Sequence, residues 1–248
     1  MGYTADELAN RFRRDTDDIE GGSGGADYLW SDDDVYSYMY EAQRVFVRRT
    51  HLFRKTHPFL PAITEIAYTA PVGTPVNADG FVSPHDSIIR PLRARMVIGT
   101  TTHPLKILTA ENLDEGRLEV QDYGRFFRRD WQDRAGQPLY LITDMQEDMW
   151  RIAPIPEQDG TLELTVEHLP RRDVTRGHPL EVTEREDQFT ILLFMKHLGY
   201  LKQDADTYDK ELSDKMEAAF EKKADDRRRE LRRSRFRHQG MRYGGIDF

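Results

Sequence analysis

The sequence predicts an α+β protein, an α-helical bundle formed by the N- and C-terminal segments with an inserted antiparallel β-sheet unit. Capping signals and helix-spaced apolar residues occupy both ends of the chain. The middle is broken by prolines and glycines into short alternating runs, as in strands joined by turns. At 248 residues the chain is long enough for one large domain or two small ones with a real core.

Thr4 and Glu7 form a capping box, and Leu8 and Phe12 share a face, which predicts a helix over residues 5–14. Residues 15–26 hold an acidic cluster and Gly21-Gly22-Ser23-Gly24-Gly25. That stretch reads as a flexible loop, because a phosphate-cradling loop needs a following Lys-Ser or Lys-Thr and a preceding strand. Ser31 then caps a second helix whose first turn carries Asp32, Asp33 and Asp34, where the helix dipole favours negative charge. Val35, Met39, Ala42 and Phe46 mark its inner face. The aspartates lack the alternation, the glycine and the distal glutamate of a calcium loop.

From Pro58 the pattern turns to strands. Residues 59–68 alternate, 70–87 form a loop, and 88–98 read as a strand with Leu92, Ala94, Met96 and Ile98 on one face. A short helix starts near Thr109, and the arginine- and aromatic-rich segment 123–134 reads as helix or loop. Strands follow at 139–143, 149–153 and 162–169, with Asp159-Gly160 signalling a hairpin between the last two. Residues 170–179 return to the helical layer.

The last quarter is the densest in signal. An apolar helix covers residues 189–198, and Tyr208, Leu212, Met216, Ala219 and Phe220 form a stripe on the next one. That helix runs without Gly or Pro into Arg227-Arg228-Arg229 and on to Arg237. A glycine-punctuated tail with Met241, Tyr243, Ile246 and Phe248 closes the chain; it has little means of packing on itself and reads as a segment that folds on binding.

Charge sharpens this division. The net charge is 36 − 44 = −8, so the chain as a whole is not built to coat nucleic acid. Residues 1–34 carry ten acids and three bases, whereas residues 222–242 carry ten bases and three acids. Such ends suit head-to-tail association or two different partners, or else simply two independently solvated ends. Cysteine is absent, which excludes thiolate chemistry and disulfides. No charged-then-apolar leader and no membrane-length apolar run is visible, so a soluble protein is expected.

No catalytic motif emerges. The eight histidines, 51, 57, 85, 103, 168, 178, 197 and 238, lack the spacing of a helical metal site. His197 reads as a satisfied core histidine. Neither a Gly-x-Ser-x-Gly elbow nor a Walker loop nor a dinucleotide fingerprint occurs. The expectation is a non-enzyme without metal or cofactor. A hydrolase assembled from carboxylates distant in sequence is a further alternative. The basic run at 227–237, with Phe236 and Tyr243, is also suited to a nucleic-acid backbone, to an acidic protein surface, or to solvent alone.

Four stretches in order resemble the head–tail adaptor (connector, neck) proteins of tailed bacteriophages. They are Leu29-Trp30-Ser31-Asp32-Asp33-Asp34 leading into Tyr40-Glu41-Ala42-Gln43; Trp150-Arg151-Ile152-Ala153-Pro154-Ile155-Pro156 with Asp159-Gly160-Thr161; the apolar helix after Glu184-Arg185, ending in Tyr200-Leu201-Lys202-Gln203-Asp204; and the long helix from Lys210 with Phe220. The loop at 70–87 and the segment 99–136 have no counterpart in the resemblance. It implies a structural virion protein, assembled in the bacterial host cytoplasm, forming a dodecameric ring. The ring docks on the portal protein and meets neck or tail proteins on its distal side. DNA passes through its channel without specific binding, and no membrane is involved. The organisation expected is N-terminal bundle helices at 1–57, the β unit at 58–169, C-terminal bundle helices at 170–236 and an interaction tail at 237–248. Portal contact falls by position and charge on Arg227, Arg228, Leu231, Arg232, Arg235, Phe236, Arg242, Tyr243, Ile246 and Phe248. The alternative is a nucleic-acid-binding accessory protein acting through the basic C-terminal helix.

Overall fold

The computed structural model describes residues 2–18, 29–70, 80–111, 135–146, 148–202 and 208–237. The chain divides into two compact units. One is helical and draws on both chain ends, Met1–Leu52 and Leu169–Phe248; the other is the sheet unit Phe53–His168.

In the helical unit, α1 (Ala5–Asp15) and α2 (Asp32–Thr50) both begin at complete capping boxes. Thr4 and Ser31 each accept from the third helical N–H, while Glu7 and Asp34 reach back to the cap N–H. Leu8, Phe12, Val35, Met39, Ala42 and Phe46 are fully or almost fully buried. Trp30 is also buried, edge-on to Phe12 at 5.3 Å between ring centroids. Buried Arg13 ties the chain around α1, donating to Asp18, to the Trp30 carbonyl and to Asp32. The remaining helices are α4 (Arg185–Leu201) and α5 (Lys210–Arg237). The N-terminal strap crosses the start of α4. Tyr3 N–H donates to Gln188 Oε1, and Gln188 Nε2 donates to the carbonyls of Tyr3 and Val182.

The sheet unit holds β1 (Arg54–Thr56), α3 (Pro61–Thr64), β2 (Glu65–Tyr68), β3 (Phe81–Val82), β4 (Ile88–Ile98), β5 (Thr101–Leu108), β6 (Tyr140–Gln146), β7 (Met149–Ala153) and β8 (Gly160–His168). Strand order is β1-β8-β4-β5-β6-β7-β3, with β2 also on β8. β1 and β2 occupy one edge of β8 in tandem, against its C-terminal and N-terminal halves. One face of this sheet carries Met96, Leu141, Trp150, Ile152, Leu162, Leu164 and Val166 into a common core. Tyr140, Ile142 and Ala153 pack on the opposite face of β6 and β7.

This architecture corrects the expected fold class. The fold is a sheet-dominant α+β arrangement with an eight-stranded, mixed, curled sheet, not a helical bundle carrying a small antiparallel insert. The sheet is mixed because β5 and β6 pair in parallel, Lys106 opposite Tyr140 and Leu108 opposite Ile142. A parallel pair needs a long crossover, and residues 109–139 provide the length. The strand β5 is absent from the sequence reading: Pro104 lies inside it, and proline argues against a strand interior. Gly99, at φ +58°, turns β4 directly into it.

The hairpin expected at Asp159-Gly160 is also corrected. β7 pairs with β6 and β3, while β8 pairs with β1, β2 and β4, so the two strands flanking the dipeptide are not neighbours. Asp159 instead accepts a hydrogen bond from the Ala70 N–H at 2.7 Å. Residues 61–64 are a helical turn, where continuous alternation was expected. Tyr208 is exposed and precedes α5, so it stands off the predicted stripe. The glycine loop at 21–25, the segment 123–134 and the tail at 238–248 lie outside the described residues.

Gly160 is needed for contact rather than for a turn. A Cβ there would lie 2.5 Å from the Val97 carbonyl oxygen and 2.7 Å from Met96 Cε. Gly160→Ala is expected to lower stability by about 1–3 kcal/mol, since the backbone oxygen cannot rotate aside. Urea unfolding of the variant measures this, and an unchanged midpoint would contradict it.

Candidate functional site

The predicted contact residues lie on the last turns of α5, and their setting begins further back along that helix. At 28 residues it spans about 42 Å at 1.5 Å per residue. Its inner stripe runs through Ser213, Phe220 and Ala224, all buried. Phe220 meets Phe194 of α4 at 4.8 Å and Phe46 of α2 at 6.4 Å. Ser213 Oγ lies 2.9 Å from His197 Nδ1 and 3.0 Å from the His197 carbonyl. His197 is therefore a satisfied core residue, as its place in the apolar helix predicts.

One turn past Ala224, the same stripe delivers Arg227. Its guanidinium donates to Glu184 Oε2 at 2.5 Å and to Glu230 Oε2 at 2.7 Å. Its Nε also lies 2.9 Å from Asp187 Oδ1. The arginine side chain is 18% exposed and that of Asp187 only 4%. Burial lifts the Asp187 carboxyl above its ordinary range, with Arg227 acting against that shift. For Arg227 burial acts downward, but Glu230, Asp187 and Glu184 outweigh it and raise the guanidinium. The two directions differ in how well each partner supports the other's charge. Arginine remains a cation in either case, so of this pair it is Asp187 that can change charge.

Arg235 is likewise turned inward. Its Nη2 donates to the His51 carbonyl at 2.7 Å, just past the C-terminus of α2, where the dipole favours a cation. His51 itself is the left-handed cap of that helix, at φ +55°. Arg228 and Leu231 are half-buried, and the Arg228 Nε is buried without a hydrogen-bond partner among the described residues. Arg232 and Arg233 are exposed and have no acidic partner among the described residues. The side chain of Phe236, and all of Arg242, Tyr243, Ile246 and Phe248, lie outside the described residues.

The predicted set thus divides by role. Arg227 and Arg235 bind the protein to itself. Arg232, with Arg233 beside it, faces outward. From Asp226 to Arg237 the helix carries seven arginines against two acids, 7 − 2 = +5, and of these Arg229, Arg232 and Arg233 are exposed among the described residues. Glu184 and Asp187, at the start of α4, are absent from the sequence reading of this site. Only their position at a helix N-terminus, where acids are favoured, signalled a structural role. Among the described residues no group of three or more His, Asp or Glu side chains is arranged to hold a metal ion. No helix among them is long and apolar enough to cross a membrane.

No protein-family model matches the chain, and neither does any characterised protein compared with it.

Arg227→Ala strands the buried Asp187 carboxylate and is expected to cost about 3 kcal/mol of stability. The pH dependence has a definite sign. A carboxyl whose pKa is higher folded than unfolded supports the fold while protonated, and that contribution is lost as pH rises through the folded value. Asp187→Asn should therefore gain stability relative to wild type as pH climbs through the window just above the usual carboxylate range. Urea midpoints across that window test this. A variant that instead loses stability relative to wild type as pH rises would mean the Arg227 attraction outweighs burial.

Proposed function

We propose that this chain is a structural virion protein, a head–tail adaptor. In this reading its subunits form a twelve-membered ring that docks on the capsid portal and joins it to the neck or tail, with DNA passing through. The virion, assembled in the host cytoplasm, is its location. The observation that carries the reading is the end of α5, whose shaft is packed and ion-paired within its own unit while Arg232 and Arg233 face outward. A helix anchored in this way presents its arginines from a backbone that is already ordered, so docking on a fixed acidic surface costs little further backbone entropy. The four ordered stretches that resemble phage adaptors add the identity of that surface. The excess of charged residues over an average soluble domain, 32% against about 25%, fits a chain with much interfacial surface. No part of this reading calls for a catalytic group.

The same arginines support the second reading, a nucleic-acid-binding accessory protein, because phosphates and carboxylates both pair with guanidinium forks. Salt alone does not separate them, because both arginine-borne contacts weaken with ionic strength; nuclease does, since only a contact carried by nucleic acid is lost on digestion.

The deciding experiment is a pull-down from the source lysate with the full chain and with Arg232→Glu/Arg233→Glu, which spares the inward Arg227 and Arg235. One large structural protein should co-purify with the full chain, survive nuclease and be lost with the charge reversal. Loss of all bound material on nuclease treatment would overturn the adaptor reading in favour of nucleic acid.

A further inference from the structure

The sheet unit has a polar face that the helix-end reading does not use. Antiparallel register places Glu163, Thr165 and Glu167 of β8 beside Arg95, Arg93 and Arg90 of β4. On the other side of β8, Thr56 of β1 opposes Thr165 and Arg54 opposes Glu167. Alternation sends the intervening Leu162, Leu164 and Val166 to the core, so these polar residues share the opposite face. A cavity of about 360 Å³ opens on it, lined by Thr56, His57, Arg93, Arg95, Glu163 and Thr165. That volume lies at the small end of the ~300–1,000 Å³ range of ligand pockets.

The hydrogen-bonding inventory of this cavity is one-sided. Glu163 Oε2 accepts from Arg95 Nε, and its Oε1 lies 3.2 Å from His57 Nε2. The other ring nitrogen of His57 is 2.7 Å from Glu65 Oε1, off the direction a hydrogen bond needs. Thr56 Oγ1 accepts from Thr165 Oγ1 at 3.2 Å. The acceptors are thus largely engaged, and what remains is donors. They are the hydroxyl hydrogen of Thr56, the terminal amino groups of Arg95 and the whole guanidinium of Arg93. Arg93 is exposed and meets no acidic partner among the described residues. A concavity that offers donors around an uncompensated guanidinium is complementary to an oxyanion, with the fork geometry favouring two parallel bonds.

The neighbouring charges choose among oxyanions. Arg90 is tied to Glu167 at 2.7 Å and Arg95 to Glu163. The face therefore presents one free guanidinium at the cavity, interleaved with glutamates. A phosphate backbone lying along the sheet would meet those glutamates at every second step. A single carboxylate held at Arg93 would meet one of them, Glu163, whose two oxygens are already turned to Arg95 and His57.

We propose that this cavity is a docking socket for an aspartate or glutamate side chain on an acidic segment of a partner protein, held bidentately by Arg93 with Thr56 and Arg95 beside it. The socket belongs to the sheet unit and stands independently of how the end of α5 is used.

The test is a titration of the ¹⁵N-labelled full chain with end-blocked hexaglutamate at low ionic strength, followed by amide shifts. Signals of Thr56, Arg93 and Thr165 should move, and Arg93→Gln should weaken binding by about tenfold or more through loss of the bidentate pair. Arg93→Lys, which keeps the charge but not the fork, should fall between the two. Because Arg93 is exposed, its variants should keep the wild-type unfolding midpoint. Arg232→Glu/Arg233→Glu should leave these shifts unchanged. Absence of shifts at the cavity, or equal affinity in Arg93→Gln, would overturn the proposal. So would an Arg93-dependent response to oligothymidylate stronger than that to hexaglutamate, which would assign the socket to nucleic acid.

Discussion

Arg227 stands where carboxylates from two helices converge, and the course of the last helix follows from that meeting. Glu184 and Asp187 sit at the start of α4, forty residues or more before it in the chain, and Glu230 sits one turn beyond it on α5. Asp187 is nearly out of reach of solvent, so its charge would be costly without a close cation. Phe220 and Ala224, two turns and one turn earlier, hold α5 against its neighbours by apolar contact. Arg227 then continues the same stripe in polar form, and Arg235 extends it to the end of α2. The direction in which Arg232 and Arg233 emerge is set by these inward contacts.

The sheet unit follows the same economy of faces with a different period. Every second residue of β8 enters the core, and the residues between them carry a charged ladder with β4. Two of its arginines are matched to glutamates across the strand, which stabilises cross-strand neighbours. Arg93 opposes a threonine instead. Its freedom is therefore a consequence of register, and register is fixed by the apolar face on the other side of the same strands.

Among the described residues, each unit thus carries a surface whose donors or charges are not all consumed internally. On α5 this is a row of arginines on a held helix; on the sheet it is one guanidinium in a cavity. Both are positively charged, yet they differ in kind. An exposed row contributes mainly to encounter and orientation, whereas a cavity selects a single side chain by geometry.

Local signals were legible wherever a few adjacent residues carry the physics. Thr4 with Glu7 and Ser31 with Asp34 announce helix starts because a capping box is complete within four residues. The strand Ile88–Ile98 was readable from alternation, and His197 from its place in an apolar helix. The sequence by itself therefore determined where most helices start, which faces are apolar and where the arginines gather. Only the tertiary structure decided which strands pair, because the parallel contact of β5 with β6 and the separation of β7 from β8 join residues whose local patterns do not refer to each other. It also decided which arginines are free. Arg227 and Arg232 look alike in a basic run, and they part company because a helix turns them to different sides, one toward Asp187 and the other toward water.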